Sequence, residues 1–245
     1  MNERREYFKK NELNGHSVSV RNAMMDMAIV MIAMVVVKQS LLPITIIFAG
    51  PISLLTGVIL ASWRLWSRGE RWFDLGLRKP ESILKTIALS MLVIAGIFAA
   101  IFISANFSRE VLGILPPAGS AVNRFGDLEG NLALFLGWLT LSWVHAGFNE
   151  EIIYRAFLIS GFEKVFSETG HKWAIVFAVF SSALFFGYRH MYYQGWYGFI
   201  VTGTIGLFLG VMYFWFGRRN IWPLVIAHGF IDSIGMVARF LGSEG

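Results

Sequence analysis

The chain has 245 residues, 56% of them hydrophobic and 15% charged, with a formal net charge of +5 and a mean hydropathy of +0.58. Soluble domains carry roughly 25% charged residues, so this chain has too few charges to coat a water-facing surface and more apolar residues than one core requires. A soluble domain is excluded, and the absence of cysteine removes disulfides and thiolate metal sites as well.

The first 22 residues are polar and charged and read as a tail without a removable signal peptide. Apolar segments about 20 residues long mark spanning helices. They are predicted at 23–42, 44–63, 82–104, 132–160, 173–190, 196–216 and 221–241. Lys38 and Pro43 place a short hairpin between the first two, with a break at Ala49–Pro51 as the alternative. The fourth is longer than one span needs and has room for an interfacial turn. Ser104–Gly130 is the longest polar connection. The expected fold is an all-α, polytopic membrane helix bundle of about seven helices, with six and eight as the limits.

Alternating spans put 16 of the 21 Lys and Arg residues on the side of the N-terminal tail. By the positive-inside rule that side is cytoplasmic, which sets the C-terminus and the 104–130 loop outside a cell membrane. The basic charge then faces anionic lipid headgroups, and nucleic acid is not a needed partner. Gly203, Gly206 and Gly210 suit close helix packing, within or between chains, so the oligomeric state stays open. Tyr192, Tyr193, Trp196 and Tyr197 read as an interfacial aromatic belt, while Asp26 and Lys38 sit near span ends, where snorkelling is expected.

The fourth span contains "NEEIIYRAF", Asn149–Phe157. An ionised side chain at the bilayer centre costs roughly 2.5–3.5 kcal/mol on insertion scales, so two glutamates and an arginine there need a reason. At about 100° per residue, Glu151 and Arg155 share one face and neutralise each other, while Glu150 points elsewhere. A carboxylate withdrawn from water without a cationic partner is suited to accept a proton near neutral pH. His190 in the fifth span, and His228 with Asp232 in the seventh, add polar positions on other helices. Intramembrane ionisable groups face one another or a wet cavity. His145 lies about 140° from Glu150 on an α-helix and reads as a packing residue. Straight spans would leave His190 and His228 at depths differing by roughly 15 Å at about 1.5 Å per residue.

Three short patterns appear in order: "EEIIYR" (Glu150–Arg155), "FGYRH" (Phe186–His190) and "HGFID" (His228–Asp232). With the lead-in "WFDLGLRKP" (Trp72–Pro80), they resemble the CAAX protease and bacteriocin-processing (CPBP) group of intramembrane peptidases, which includes the Ras-converting endopeptidases. The resemblance covers residues 72–241 and leaves 23–63 as two generic N-terminal helices. It implies an intramembrane endopeptidase acting on peptides or membrane proteins, with Glu150 activating water and His190 orienting it. It also implies that His228 with residue 232 stabilises the oxyanion, braced by Glu151 and Arg155.

Asp232 departs from the Asn of the eukaryotic members. An ionised Asp only accepts hydrogen bonds, so Asp232 is protonated, or orients His228, or ligates a metal. A zinc ion on His190, His228 and Asp232, with Glu150 as base, fits the residue types. No zinc-helix signature is present, however, and the sequence fixes no cofactor. A bacteriocin-immunity or scaffold protein on the same fold, catalytic or not, is the alternative function. An ion-coupled transporter fits less well, because paired interrupted helices in two related halves are missing.

Overall fold

In the computed structural model, residues 19–117, 125–168, 172–217 and 220–242 are described. Residues 1–18 of the expected tail, 118–124 of the long connection and Arg218–Arg219 lie outside them. Among the described residues the regular structure is entirely helical. Six helices are long and apolar enough to cross a membrane: α1 (Val20–Leu41), α2 (Ile46–Trp66), α3 (Ile83–Val111), α4 (Leu132–Glu168), α5 (Ala174–Trp215) and α6 (Trp222–Phe240). The chain is a multi-pass membrane protein.

Side-chain caps fix several of the starts. Ser19, Thr45, Ser82 and Asn131 each accept a hydrogen bond from the backbone N–H three residues on, which satisfies one of the amides that the first turn leaves unpaired. Residues 42–45 separate α1 from α2, so the hairpin forms at Pro43 and the alternative break at Ala49–Pro51 does not occur. Pro51 instead sits early in α2, where it forgoes one backbone hydrogen bond.

The 42 residues of α5 are two helices joined at Gly195, whose φ of 58° and ψ of −153° belong to a region open to glycine alone. The arms run antiparallel. A Cβ on Gly187 would lie 2.6 Å from the Phe199 carbonyl oxygen, one on Gly206 would lie 3.4 Å from the Ala183 Cα, and one on Gly210 would touch Val179. With α5 counted as two arms, the bundle has the seven membrane-length segments that the sequence predicts.

Helix α4 is the axis. It starts as an α-helix (Leu132–Leu141), winds as a π-helix over Ser142–Ile159, and returns to α over Ser160–Glu168. Every residue from Glu151 to Ile159 is buried, because α2, α5 and α6 all pack on this segment. The lead-in block ties the same end together. Leu75 accepts from the Tyr213 hydroxyl at 2.9 Å, Gly76 from the Ile221 N–H at 3.2 Å, and Arg78 from Trp222 Nε1 at 3.0 Å.

Two snorkelling expectations fail. Asp26 is 6% exposed and receives Arg64 Nε at 2.5 Å and Arg68 Nη2 at 2.9 Å from α2 and the turn after it. Lys38 is 1% exposed, inside the bundle. Each side chain found partners on a neighbouring helix, which position along its own span could not reveal.

Candidate active site

The expected Glu151–Arg155 pair forms at the centre of α4. Arg155 Nε lies 3.2 Å from Glu151 Oε2, with the two side chains 1% and 0% exposed. The contact is one of charge rather than aligned hydrogen bonding, since Glu151 Oε2 and both terminal Arg155 nitrogens lack a hydrogen-bond partner. The guanidinium instead lies 4.6 Å from the Phe186 ring centre, a favourable placement for a desolvated cation.

Glu151 also holds His228. Its Oε1 is 2.8 Å from His228 Nδ1. A carboxylate only accepts, so Nδ1 carries the proton and Nε2 faces the other way. There Nε2 meets Glu150 Oε2 at 3.8 Å, beyond direct hydrogen-bond range. The two glutamates therefore divide by environment as the sequence suggested. Glu151 is sealed between Arg155 and His228, and Glu150 keeps 16% of its side chain exposed.

What brings His228 there is a contact between glycines. A Cβ on Gly147 would lie 3.1 Å from the Gly229 Cα and 3.1 Å from the Val225 carbonyl oxygen, so the α4 and α6 backbones meet without side chains between them. Gly147→Ala should push α6 away from α4 and weaken the His228–Glu151 contact. A lowered melting temperature, together with lost hydrolysis, is the expected result, and Gly137→Ala, which meets open space, serves as control.

Phe186 joins the remaining pieces. Its ring lies 4.6 Å from His190, 6.3 Å from His228 and 4.8 Å from Tyr154. The depth mismatch expected between the histidines is thereby bridged: His190 stands one turn beyond Phe186, and His228 reaches the same ring from α6. His190 Nδ1 lies 2.8 Å from the Phe186 carbonyl oxygen, so Nδ1 carries the ring proton. His145, one π-turn before Glu150, has Nδ1 3.5 Å from Asn149 Nδ2. The α-helical angle that set it aside does not apply here, but its contact is local.

Asp232 lies one turn after His228, partly buried, and its charge acts on both His228 and Glu150. The orienting hydrogen bond to His228 comes from Glu151. Among the described residues no three His, Asp or Glu side chains converge closely enough to hold a metal ion. One nitrogen of each of His190 and His228 is directed at a protein oxygen, as is usual for metal-bound and metal-free histidines alike.

Residues 132–234 match the family model for Rce1-like type II CAAX prenyl endopeptidases. Over these residues the chain is similar to the CAAX-protease family. No curated protein and no solved structure matches it. The matched stretch holds all six residues singled out from the sequence. That similarity supports an intramembrane endopeptidase in general, with the bilayer and a peptide or protein substrate as partners. The sequence reading missed Phe186 as the shared support of both histidines, although its spacing of four before His190 was a usable sign. It also missed Gly147 and Gly229, whose role is visible only between helices.

Proposed function

We propose that this chain is a CAAX-type protease that hydrolyses a peptide bond by a glutamate-driven, metal-free route at Glu150. The observation that carries the reading is the division of two adjacent glutamates, one sealed by Arg155 and His228 and one open beside His228 Nε2. Glu150 takes a proton from water, and the water oxygen attacks the carbonyl carbon to give a tetrahedral oxyanion. His228 and His190 donate to the oxyanion from Nε2 only as imidazolium rings, with Nδ1–H held by Glu151 and by the Phe186 carbonyl; as neutral rings their Nε2 atoms accept from the water. Glu150 then returns the proton to the amide nitrogen as the C–N bond breaks. Glu151 fixes the tautomer and angle of His228, and Arg155 compensates Glu151. The family name points to prenylated carboxy-terminal segments as the substrate class. Membrane proteomes from cells carrying wild type or Glu150→Gln test the reading: uncleaved substrate should accumulate in the variant, and identical proteomes would count against it.

Asp232 decides between the two forms of the oxyanion site. In the metal-free site Asp232→Asn supplies an amide donor near His228, so activity should survive or rise and stay insensitive to chelators. Zinc in stoichiometric amounts, lost together with activity in Asp232→Asn, would favour the metal form. Losing one oxyanion donor typically lowers turnover about 10²–10³-fold, so the contrast is measurable.

The proposed orientation places the N-terminus in the cytoplasm of a cell membrane, on the distribution of basic residues. The chain lacks cysteine, so cysteines introduced at the exposed positions Ser67 and Asp127 report on it directly. An impermeant thiol reagent on intact cells should label the Asp127 site and spare the Ser67 site; the reverse pattern inverts the topology.

A further inference from the structure

The bundle buries two more cations that hydrolysis does not use. Lys38 of α1 is 1% exposed and Arg189 of α5 is 6% exposed. Among the described residues the carboxylate ion pairs go to Arg64, Arg68, Arg155 and His228, and none reaches Lys38 or Arg189. Lys38 Nζ donates to the Arg189 carbonyl oxygen at 3.3 Å and lies 5.2 and 4.9 Å from the Tyr188 and Tyr192 ring centres. Arg189 donates from Nη1 to the Met34 carbonyl oxygen at 2.8 Å and from Nη2 to the Ser53 hydroxyl. Its Nε has no hydrogen-bond partner.

Two like charges out of water with no counter-ion are costly, and an unpaired buried charge is more so than a pair. A surplus of positive charge with an unmatched N–H is the complement of an oxyanion, and Arg binds carboxylates through such donors. The location favours a group on the substrate. Arg189 immediately precedes His190, whose ring lies 4.6 Å from Phe186, the same ring on which Tyr154 packs at 4.8 Å. Tyr188, whose ring centre lies 5.2 Å from Lys38 Nζ, is 39% exposed.

We infer that Lys38 and Arg189 form a buried site for a carboxylate carried by the peptide that occupies the neighbouring hydrolytic site. The inference rests on the peptidase reading above, but its test reads binding and not cleavage. Full-length protein carrying Glu150→Gln, in phosphatidylcholine nanodiscs, is melted with a short apolar peptide bearing a free carboxy terminus and with the same peptide amidated. The acid should raise the melting temperature by several degrees and the amide should not. Lys38→Met and Arg189→Gln should each abolish that difference. Without peptide, Lys38→Met should melt above its parent, because it removes an uncompensated charge.

Equal shifts from acid and amide would overturn the inference, as would an acid-specific shift that survives both substitutions. A peptide-free Lys38→Met that melts below its parent would mark Lys38 as a structural staple instead. A shift produced by phosphatidylglycerol nanodiscs, lost in Lys38→Met and not reproduced by the acid peptide, would assign the site to a lipid headgroup and also overturn it. Residual hydrolysis by the Glu150→Gln parent would count against Glu150 as base while leaving the binding comparison intact.

Discussion

Replacing Glu150 by Gln is expected to lower peptide hydrolysis by roughly 10²- to 10⁴-fold, the range for loss of a general base. Folding should be little affected. The substitution keeps the volume, and the Glu150 carboxylate lies 3.8 Å from His228 Nε2, too far for a hydrogen bond that the fold relies on. Single-turnover assays on a verified substrate, alongside a melting curve, separate the two effects. Glu151→Gln should behave differently. It removes the charge beside Arg155 and alters the acceptor of His228 Nδ1 at 2.8 Å, so stability and activity should fall together. Wild-type turnover in Glu150→Gln would remove the proposed base from the mechanism.

Arg155→Ala should be the most destabilising single substitution in the site. Glu151 is 0% exposed and Arg155 1%, and removing one partner of a buried pair typically costs about 3–5 kcal/mol, because the other charge stays in place uncompensated. The truncation also empties the face of Phe186, where the guanidinium sits 4.6 Å from the ring centre. The expected measurement is a large drop in the amount of folded protein and in its melting temperature in detergent. The double change Glu151→Gln with Arg155→Met should recover much of the stability and none of the activity. If Arg155→Ala melted like wild type, the pair would not hold the site together.

Most of the architecture is legible in the sequence because lipid exposure demands long apolar runs, and turns between them carry their own residues. The hairpin at Pro43 and the break between the spans predicted at 173–190 and 196–216 are examples. The Glu151–Arg155 pair was also readable, since four residues bring the two together on a helix. What stayed hidden depends on neighbouring helices. Asp26 seemed a solvated end residue because its partners, Arg64 and Arg68, lie about 40 positions away. Lys38 was hidden for the same reason. The hydrogen bond of His228 to Glu151 depends on Gly147 meeting Gly229, and neither glycine announces a partner by its position.

The winding of α4 has a consequence for how such a site can be lost. A π-helix takes i→i+5 hydrogen bonds, is ordinarily a single turn, and is frequent at functional sites; here it runs through Ser142–Ile159. Each turn accommodates more residues than an α-turn, so the angular position of the glutamates around the axis is set by the winding as well as by their place in the chain. Deleting one residue between Ser142 and Phe148 would let the segment tighten toward α and rotate the glutamates relative to His228. All six side chains would still be encoded, yet the constellation would be out of phase. A descendant could therefore fall catalytically silent through a single in-frame codon loss while looking intact by its motifs, and inspection of motif residues alone would misjudge it.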